Sequence, residues 1–359
     1  MRRNLPIQFL RAGAALVVAV MHYQMDTQRA GLSDGLNFFF WMGNVGVDVF
    51  FVISGFVMVY SSQALFGTVH GPFKFFLRRV LRILPIYWLI TSIYIAMAVA
   101  IPAFGKGYSP SSIAGSYLFI PVERAPGVIE PVVGQGWTLN YEMLFYAIFA
   151  TAIVARPRVA VAAVALALAA LVAAGRIFTL PLPLAFWASN IVLEFVLGAA
   201  LGLIHLEGLR IPKAAGWLLM AGGVALLATQ ALNHVSELRC IFFGVPAALI
   251  VAGACFPAFT PNKRRWAALT LIGAASYALY LTHSFANRAV LIVATALGQK
   301  PASAPYLYLG AAALGAIALA IAVHLLFEQP ATSLLKRLVR RYETAAGPAI
   351  APSNAKVTL

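Results

Sequence analysis

The segment LPIQFLRAGAALVVAVMHYQ, residues 5–24, decides how this chain is read. Its 20 residues form a helix about 30 Å long, which matches the hydrocarbon core of a bilayer. Two ionisable side chains, Arg11 and His22, interrupt it. Such groups are costly in hydrocarbon and persist where they face a bundle interior, a cavity or a partner. Eleven helical residues advance about three turns plus 20°, so both project from one face about 16 Å apart. Singly, Arg11 can snorkel to the headgroups and His22 can cap the far end; as a pair they mark an interior stripe at two depths. MRRN followed by an apolar run also resembles the start of a signal peptide. Arg11 breaks that run and no small-residue cleavage site follows, so the segment is expected to remain as a spanning helix.

Composition extends this reading to the whole chain. With 359 residues, 62% hydrophobic and 10% charged, and a mean hydropathy of +0.86, the protein is expected to be an all-α polytopic membrane bundle. Apolar periodicity predicts about ten spans, near 5–24, 44–62, 83–103, 137–155, 159–175, 184–204, 214–232, 239–259, 266–288 and 305–327. Lys and Arg placement orients them with both termini in the cytoplasm. That choice puts 18 of the 26 basic residues inside, among them Arg2, Arg3, Lys263, Arg264, Arg265 and Lys356, and seven outside, among them Lys106, with Arg11 within the membrane. The net charge of +15 is mostly this bias, so a nucleic-acid partner is not expected. Residues 1–341 read as one membrane domain and 342–359 as a disordered cytoplasmic tail. Cys240 and Cys255 lie about 22 Å apart on a helix, too far for a disulfide. No metal-ligand spacing exists.

On this topology His22, Asp48, Trp137, Glu142 and His283 fall into one outer layer. Ser276, Tyr280 and His283 recur at i, i+4 and i+7, one lining face of the ninth span. Trp187, Asn190 and Glu194 repeat that spacing in the sixth. Taken one at a time, these residues also fit interhelical hydrogen bonding or an interfacial aromatic. An inner layer holds Arg79 and Arg82, at i and i+3 in HGPFKFFLRRVLRILP, where guanidinium groups can grip phosphate bidentately. The same residues fit positive-inside anchoring. Glu328, in FEQP, reads as a helix-end acid near Lys336 and Arg337.

Arg11 with His22, GNVGVDVFFVISGF (43–56), RVLR (79–82), WTLNYE (137–142), GAASYALYLTH (273–283) and EQP (328–330), taken in order, resemble the successive signatures of the membrane-bound acyltransferase family 3. The resemblance covers residues 5 to about 330. VFFVISGFVM and the lack of an appended hydrolase-like domain resemble the single-domain branch that acetylates exopolysaccharides, near the nodulation-factor and O-antigen acetylating members. The resemblance implies transfer of an acyl group, usually acetyl, from cytoplasmic acetyl-CoA to a hydroxyl of a surface or lipid-linked glycan, in the bacterial inner membrane. His22 then suits a general base, with Glu142 or His283 orienting it or relaying the proton. Arg11 would steady the thioester or pantetheine, Arg79 and Arg82 the CoA phosphates, and Trp137, Ser276, Tyr280, Asp48, Asn190, Glu194 and Glu328 would line the path. Either the pantetheine arm reaches through the bundle, or His22, Ser276 or Tyr280 carries the acyl group covalently. A glycan or lipid-glycan transporter would also place charges inside ten spans, but no paired interrupted repeat is visible.

Overall fold

The computed structural model describes residues 5–32, 38–101, 108–233, 238–258 and 266–345. Arg2, Arg3, Lys106, Lys263, Arg264, Arg265, Lys356 and residues 346–359 lie outside these. Among the described residues the regular structure is helical apart from a short hairpin, β1 (Glu123–Ala125) paired antiparallel with β2 (Val128–Ile129). In order the helices are α1 (Leu5–Arg29), α2 (Phe38–Ser61), α3 (Gly71–Ala100), α4 (Pro110–Leu118), α5 (Trp137–Ala152), α6 (Pro157–Ile177) and α7 (Leu184–Trp187). They continue with α8 (Leu193–Leu206), α9 (Lys213–Asn233), α10 (Val245–Cys255), α11 (Ala267–Ala274), α12 (Ser276–Ala296), α13 (Pro305–Val323) and α14 (Gln329–Ala345).

Four helical stretches are long and apolar enough to cross a bilayer, Leu5–Arg29, Gly71–Ala100, Pro157–Ile177 and Pro305–Val339, and shorter apolar helices run at Val45–Ser61, Asn190–Leu206 and Cys240–Cys255. The all-α membrane architecture expected from composition is therefore present. Two wide turns, Cys240–Gly244 and His324–Glu328, are π-helical. A π-turn inserts one residue and rotates everything beyond it, a feature frequent at functional sites. Cys240 and Cys255 are both free thiols.

α2 is the axis, packed against α1 on one side and α8 on the other. Small residues allow the approach: a Cβ on Gly55 would collide with the Phe195 carbonyl, and one on Gly198 with the Val52 carbonyl. Close helix contact through glycine substitutes for the hydrophobic drive that lipid does not supply. α12 runs alongside α1, held by Arg11 to Ser276 near one end and by Asn287 Nδ2 donating to the Ala19 carbonyl at 3.1 Å further along. Gly273 lies so close to the Gln8 carbonyl that no side chain fits between them.

Two local expectations change. α3 begins at Gly71, about three turns before residue 83, so Arg79 and Arg82 stand at i and i+3 within that helix, as their spacing requires. The sixth apolar stretch is not continuous: α7 stops at Trp187, a single 3-10 turn covers Asn190–Val192, and α8 starts at Leu193. Trp187, Asn190 and Glu194 therefore do not share one helical face.

Candidate active site

The residues singled out in the sequence separate into three places. The first is a cavity of about 90 Å³ bounded by α1, α2, α3, α5 and α12, whose polar wall includes Arg11, Ser54, Arg79, Arg82, Glu142 and Ser276. Arg11 Nε donates to Ser276 Oγ at 3.1 Å. Arg79 Nη2 donates to Ser61 Oγ at 2.6 Å, and its guanidinium lies 5.5 Å from the Phe75 ring centroid. Glu142 Oε1 accepts from Ser54 Oγ at 2.9 Å and from the Tyr146 hydroxyl. Three guanidinium groups thus face one carboxylate. This excess of positive charge, in a site shielded from water, favours an anionic or oxyanion-bearing ligand.

A second, wider space of about 790 Å³ lies beside the first and shares Arg11 and Arg82 with it. Gln8, His324, Glu328, Gln329, Ser333 and Lys336 stand on its walls. The shared arginines stand between this vestibule and the cavity. Glu328 pairs with His324, four residues earlier, whose Nδ1 lies 2.7 Å from Glu328 Oε2, while His324 Nε2 lies 2.8 Å from Gln329 Nε2.

At the far end of the cavity Tyr280 donates to the Gln135 carbonyl at 2.6 Å and its hydroxyl lies 2.7 Å from Thr138 Oγ1. Beyond Tyr280 is His283, with ring centroids 6.4 Å apart, and against His283 is His22, 4.8 Å between centroids. Each imidazole sets Nδ1 against the carbonyl one turn earlier, His22 on Val18 at 2.9 Å and His283 on Leu279 at 3.1 Å. A carbonyl only accepts, so Nδ1 donates in both rings and each Nε2 keeps a lone pair. His283 Nε2 is buried without a hydrogen-bond partner. His22 is only half-buried, which makes it the imidazole able to meet an incoming group.

The expected outer layer of five residues is thus not one site. Glu142 belongs to the arginine cavity and bonds Ser54 and Tyr146, so it does not orient His22. Asp48 and Glu194 form a third place on the other side of α2, where Asp48 Oδ1 accepts from Arg239 Nε at 2.9 Å and both acids are fully buried. Trp137 stacks edge-on against Tyr141, and its neighbours Thr138 and Leu139 line the cavity instead. Trp187 donates to the Asn140 carbonyl at 3.2 Å, and Asn190 is half-buried in the turn before α8. Ser276, Tyr280 and His283 do follow one another along α12 as their spacing required, the first two on the cavity and the third beyond it. Sequence reasoning missed Ser54, Thr138, Tyr146 and Tyr277, all on the cavity wall. Tyr146 carried a usable signal, since it stands four residues after Glu142 and therefore on the same helical face.

Chemically, this is a chamber rich in guanidinium groups, adjoined along α12 by a pair of imidazoles, of which His283 has an unpartnered Nε2. Residues 5–327 match the family model described as an acyltransferase domain. The exopolysaccharide production protein ExoZ of Rhizobium meliloti (strain 1021) is 36% identical over 312 residues, 85% of this chain and 94% of that protein. A Bacillus subtilis (strain 168) protein named for peptidoglycan O-acetylation, YrhL, is 24% identical over 317 residues, 76% of this chain but 47% of its own length. No solved structure matches the chain.

Proposed function

Because this chain belongs to the acyltransferase family whose domain it matches over residues 5–327, and is an O-acyltransferase of the membrane, we propose that it moves an acetyl group from cytoplasmic acetyl-CoA to a hydroxyl of a surface or lipid-linked glycan such as an exopolysaccharide. In this reading ten spans cross the bacterial inner membrane with both termini in the cytoplasm, and the vestibule opens to the donor. The family and the ExoZ relative support an enzyme over the transporter alternative.

The observation that carries the proposal is the continuous line on α12 from Ser276, which holds Arg11, to His283, which meets His22. Seven residues of helix separate them, about 10 Å. The matching stretch of α1, from Arg11 to His22, is about 16 Å. Pantetheine is a peptide-like chain of about a dozen bonds and reaches roughly 15 Å when extended. With the CoA phosphates at Arg82 and the pantetheine passing Arg11, the arm's length is close to the Arg11 to His22 span, which favours direct transfer over a covalent carrier.

The steps balance on that geometry. The acceptor hydroxyl attacks the thioester carbonyl as His22 Nε2 takes its proton. The tetrahedral intermediate collapses, the carbon–sulfur bond breaks, and the thiolate recovers a proton from the imidazolium to leave as CoASH. His283 supports the ring of His22 and offers a second proton acceptor. Arg11 and Arg79 keep the passage polar, and Tyr280 with Thr138 closes the cavity toward the histidines until the arm is threaded. Ser54, Glu142 and Tyr146 hold the charge balance of the chamber.

Purified protein in lipid nanodiscs, given acetyl-labelled CoA and exopolysaccharide oligosaccharides, should place label on the glycan and release free thiol in equal amounts. Label retained on the protein through denaturation, with none on glycan, would replace direct transfer by a covalent carrier. No label on either would remove the donor assignment.

A further inference from the structure

Two helices are too long for the bilayer they cross. α3 has 30 residues, about 45 Å of helix against a hydrocarbon core of about 30 Å. The continuous helical stretch Pro305–Val339 has 35 residues, about 52 Å. The excess lies at one end of the molecule, because α14 packs on α3 and both border the vestibule, through Arg82 and through Ser333 and Lys336. In α3 the surplus is Gly71–Arg82, and in the other stretch it is the segment from Gln329 onward.

These overhangs are not built to stand in water. Phe73 and Phe76 on α3 are 67% and 36% exposed, and Leu334 and Leu338 on α14 are 57% and 50% exposed. Each pair is spaced three or four residues apart, so each forms a stripe on its own helix. Beside the stripes stand Lys74 and Arg78 on α3 and Arg337 on α14, with no acidic residue in Gly71–Arg82 or Gln329–Val339. A bare apolar stripe flanked by lysine and arginine is the pattern of a helix lying in the membrane interface, its apolar side toward acyl chains and its cations toward phosphate.

We propose that Gly71–Arg82 and Gln329–Val339 form a seat for anionic phospholipid, which fixes the two overhangs in the headgroup plane and frames the mouth of the vestibule. The occupant is a lipid rather than a soluble anion because the exposed Phe and Leu side chains need acyl chains as well as phosphate. The lipid contacts come from Lys74, Arg78 and Arg337, whereas Arg79 and Arg82 of the same α3 overhang face the cavity.

The test uses the full chain in nanodiscs of phosphatidylcholine with a minority of phosphatidylglycerol. With Cys240 and Cys255 replaced by alanine, nitroxides are attached at Leu338→Cys and, separately, at Arg337→Cys. The first should be accessible to membrane-dissolved oxygen, and the second to a water-soluble relaxant. Water accessibility at both positions would show a free-standing overhang and overturn the proposal. Spin-labelled lipids then report which headgroup surrounds the protein. Phosphatidylglycerol should be preferred, and each of Lys74→Gln, Arg78→Gln and Arg337→Gln should lower that preference by about fivefold, while Lys74→Arg, Arg78→Lys and Arg337→Lys restore it. Equal occupancy by the two lipids in the unsubstituted protein would also overturn it.

Discussion

Replacing His22 with alanine separates the two imidazoles, and the structure sets the size of the effect. A positioned general base contributes about 10² to 10⁴ in rate, or roughly 3 to 5 kcal/mol of barrier. His283 lies 4.8 Å from His22 between ring centroids, with its own Nε2 unpartnered. A water in the space vacated by His22 can bridge the hydroxyl to His283, so His22→Ala should lose about a hundredfold in kcat, the lower end of that range. The Arg11 and Arg82 chamber is untouched, so the donor KM should stay within about threefold. His283→Ala should cost less, about tenfold, because His22 keeps its anchor on the Val18 carbonyl at 2.9 Å. The double variant should be far less than additive relative to His22→Ala, since the two rings act as a unit. The assay is thiol release from acetyl-CoA in nanodiscs at saturating glycan, with thermal melting to establish that each variant is folded. A His22→Ala enzyme with wild-type kcat, or a double variant whose loss is the product of the two single losses, would refute the reasoning.

Three further outcomes follow from other parts of the molecule. Arg82 stands where cavity and vestibule meet, whereas Arg79 is engaged by Ser61 and the Phe75 ring; Arg82→Ala should therefore raise the acetyl-CoA KM by roughly tenfold or more, about 1.5 to 3 kcal/mol for a charge-assisted contact, Arg79→Ala should raise it less, and Arg82→Lys should recover only part, as read from donor saturation curves. Gly198→Ala drives a methyl into the Val52 carbonyl, while nothing lies within 4 Å of a Cβ on Gly222; the first should lower stability by about 1 to 3 kcal/mol and the second should leave the melting curve in place. If the N-terminus is cytoplasmic, a cysteine at Lys300 in the Cys240 and Cys255-free protein should react with an impermeant thiol reagent on intact cells, and one at Arg337 should not.

Much of this arrangement was readable in the sequence because helices are periodic. Ser276, Tyr280 and His283 could be placed in line from their spacing, and Arg11 and His22 from theirs. Most of the long apolar runs lie on helices because twenty apolar residues have few other fates, although the sixth and ninth runs are each broken into two helices. What failed was rotation about the helix axis. Span boundaries give depth only, so Glu142 and Asp48 were grouped with the histidines although α5 turns Glu142 toward Ser54 and α2 turns Asp48 toward Arg239. The Asp48 to Arg239 pair joins positions 191 residues apart, a contact that no local pattern encodes. Glu328 reads as a helix-end acid near Lys336 and Arg337, whereas its partner in the structure is His324, four residues earlier, a neighbour that helical periodicity itself allows. α3 starts at Gly71, ahead of the apolar run that begins near residue 83, with Pro72 a favourable residue in its first turn.

The central claim is that donor and acceptor meet from opposite sides of the membrane along α12. Proteoliposomes carrying the protein in one orientation, established by the thiol labelling above, test it most directly, with acetyl-labelled CoA added only on the vestibule side and glycan acceptor only on the other. The account predicts label on the glycan in the opposite compartment, CoA thiol appearing on the donor side, and loss of both in the protein carrying Arg82→Ala and His22→Ala. Transfer that occurs only when acetyl-CoA and glycan share one compartment would contradict it.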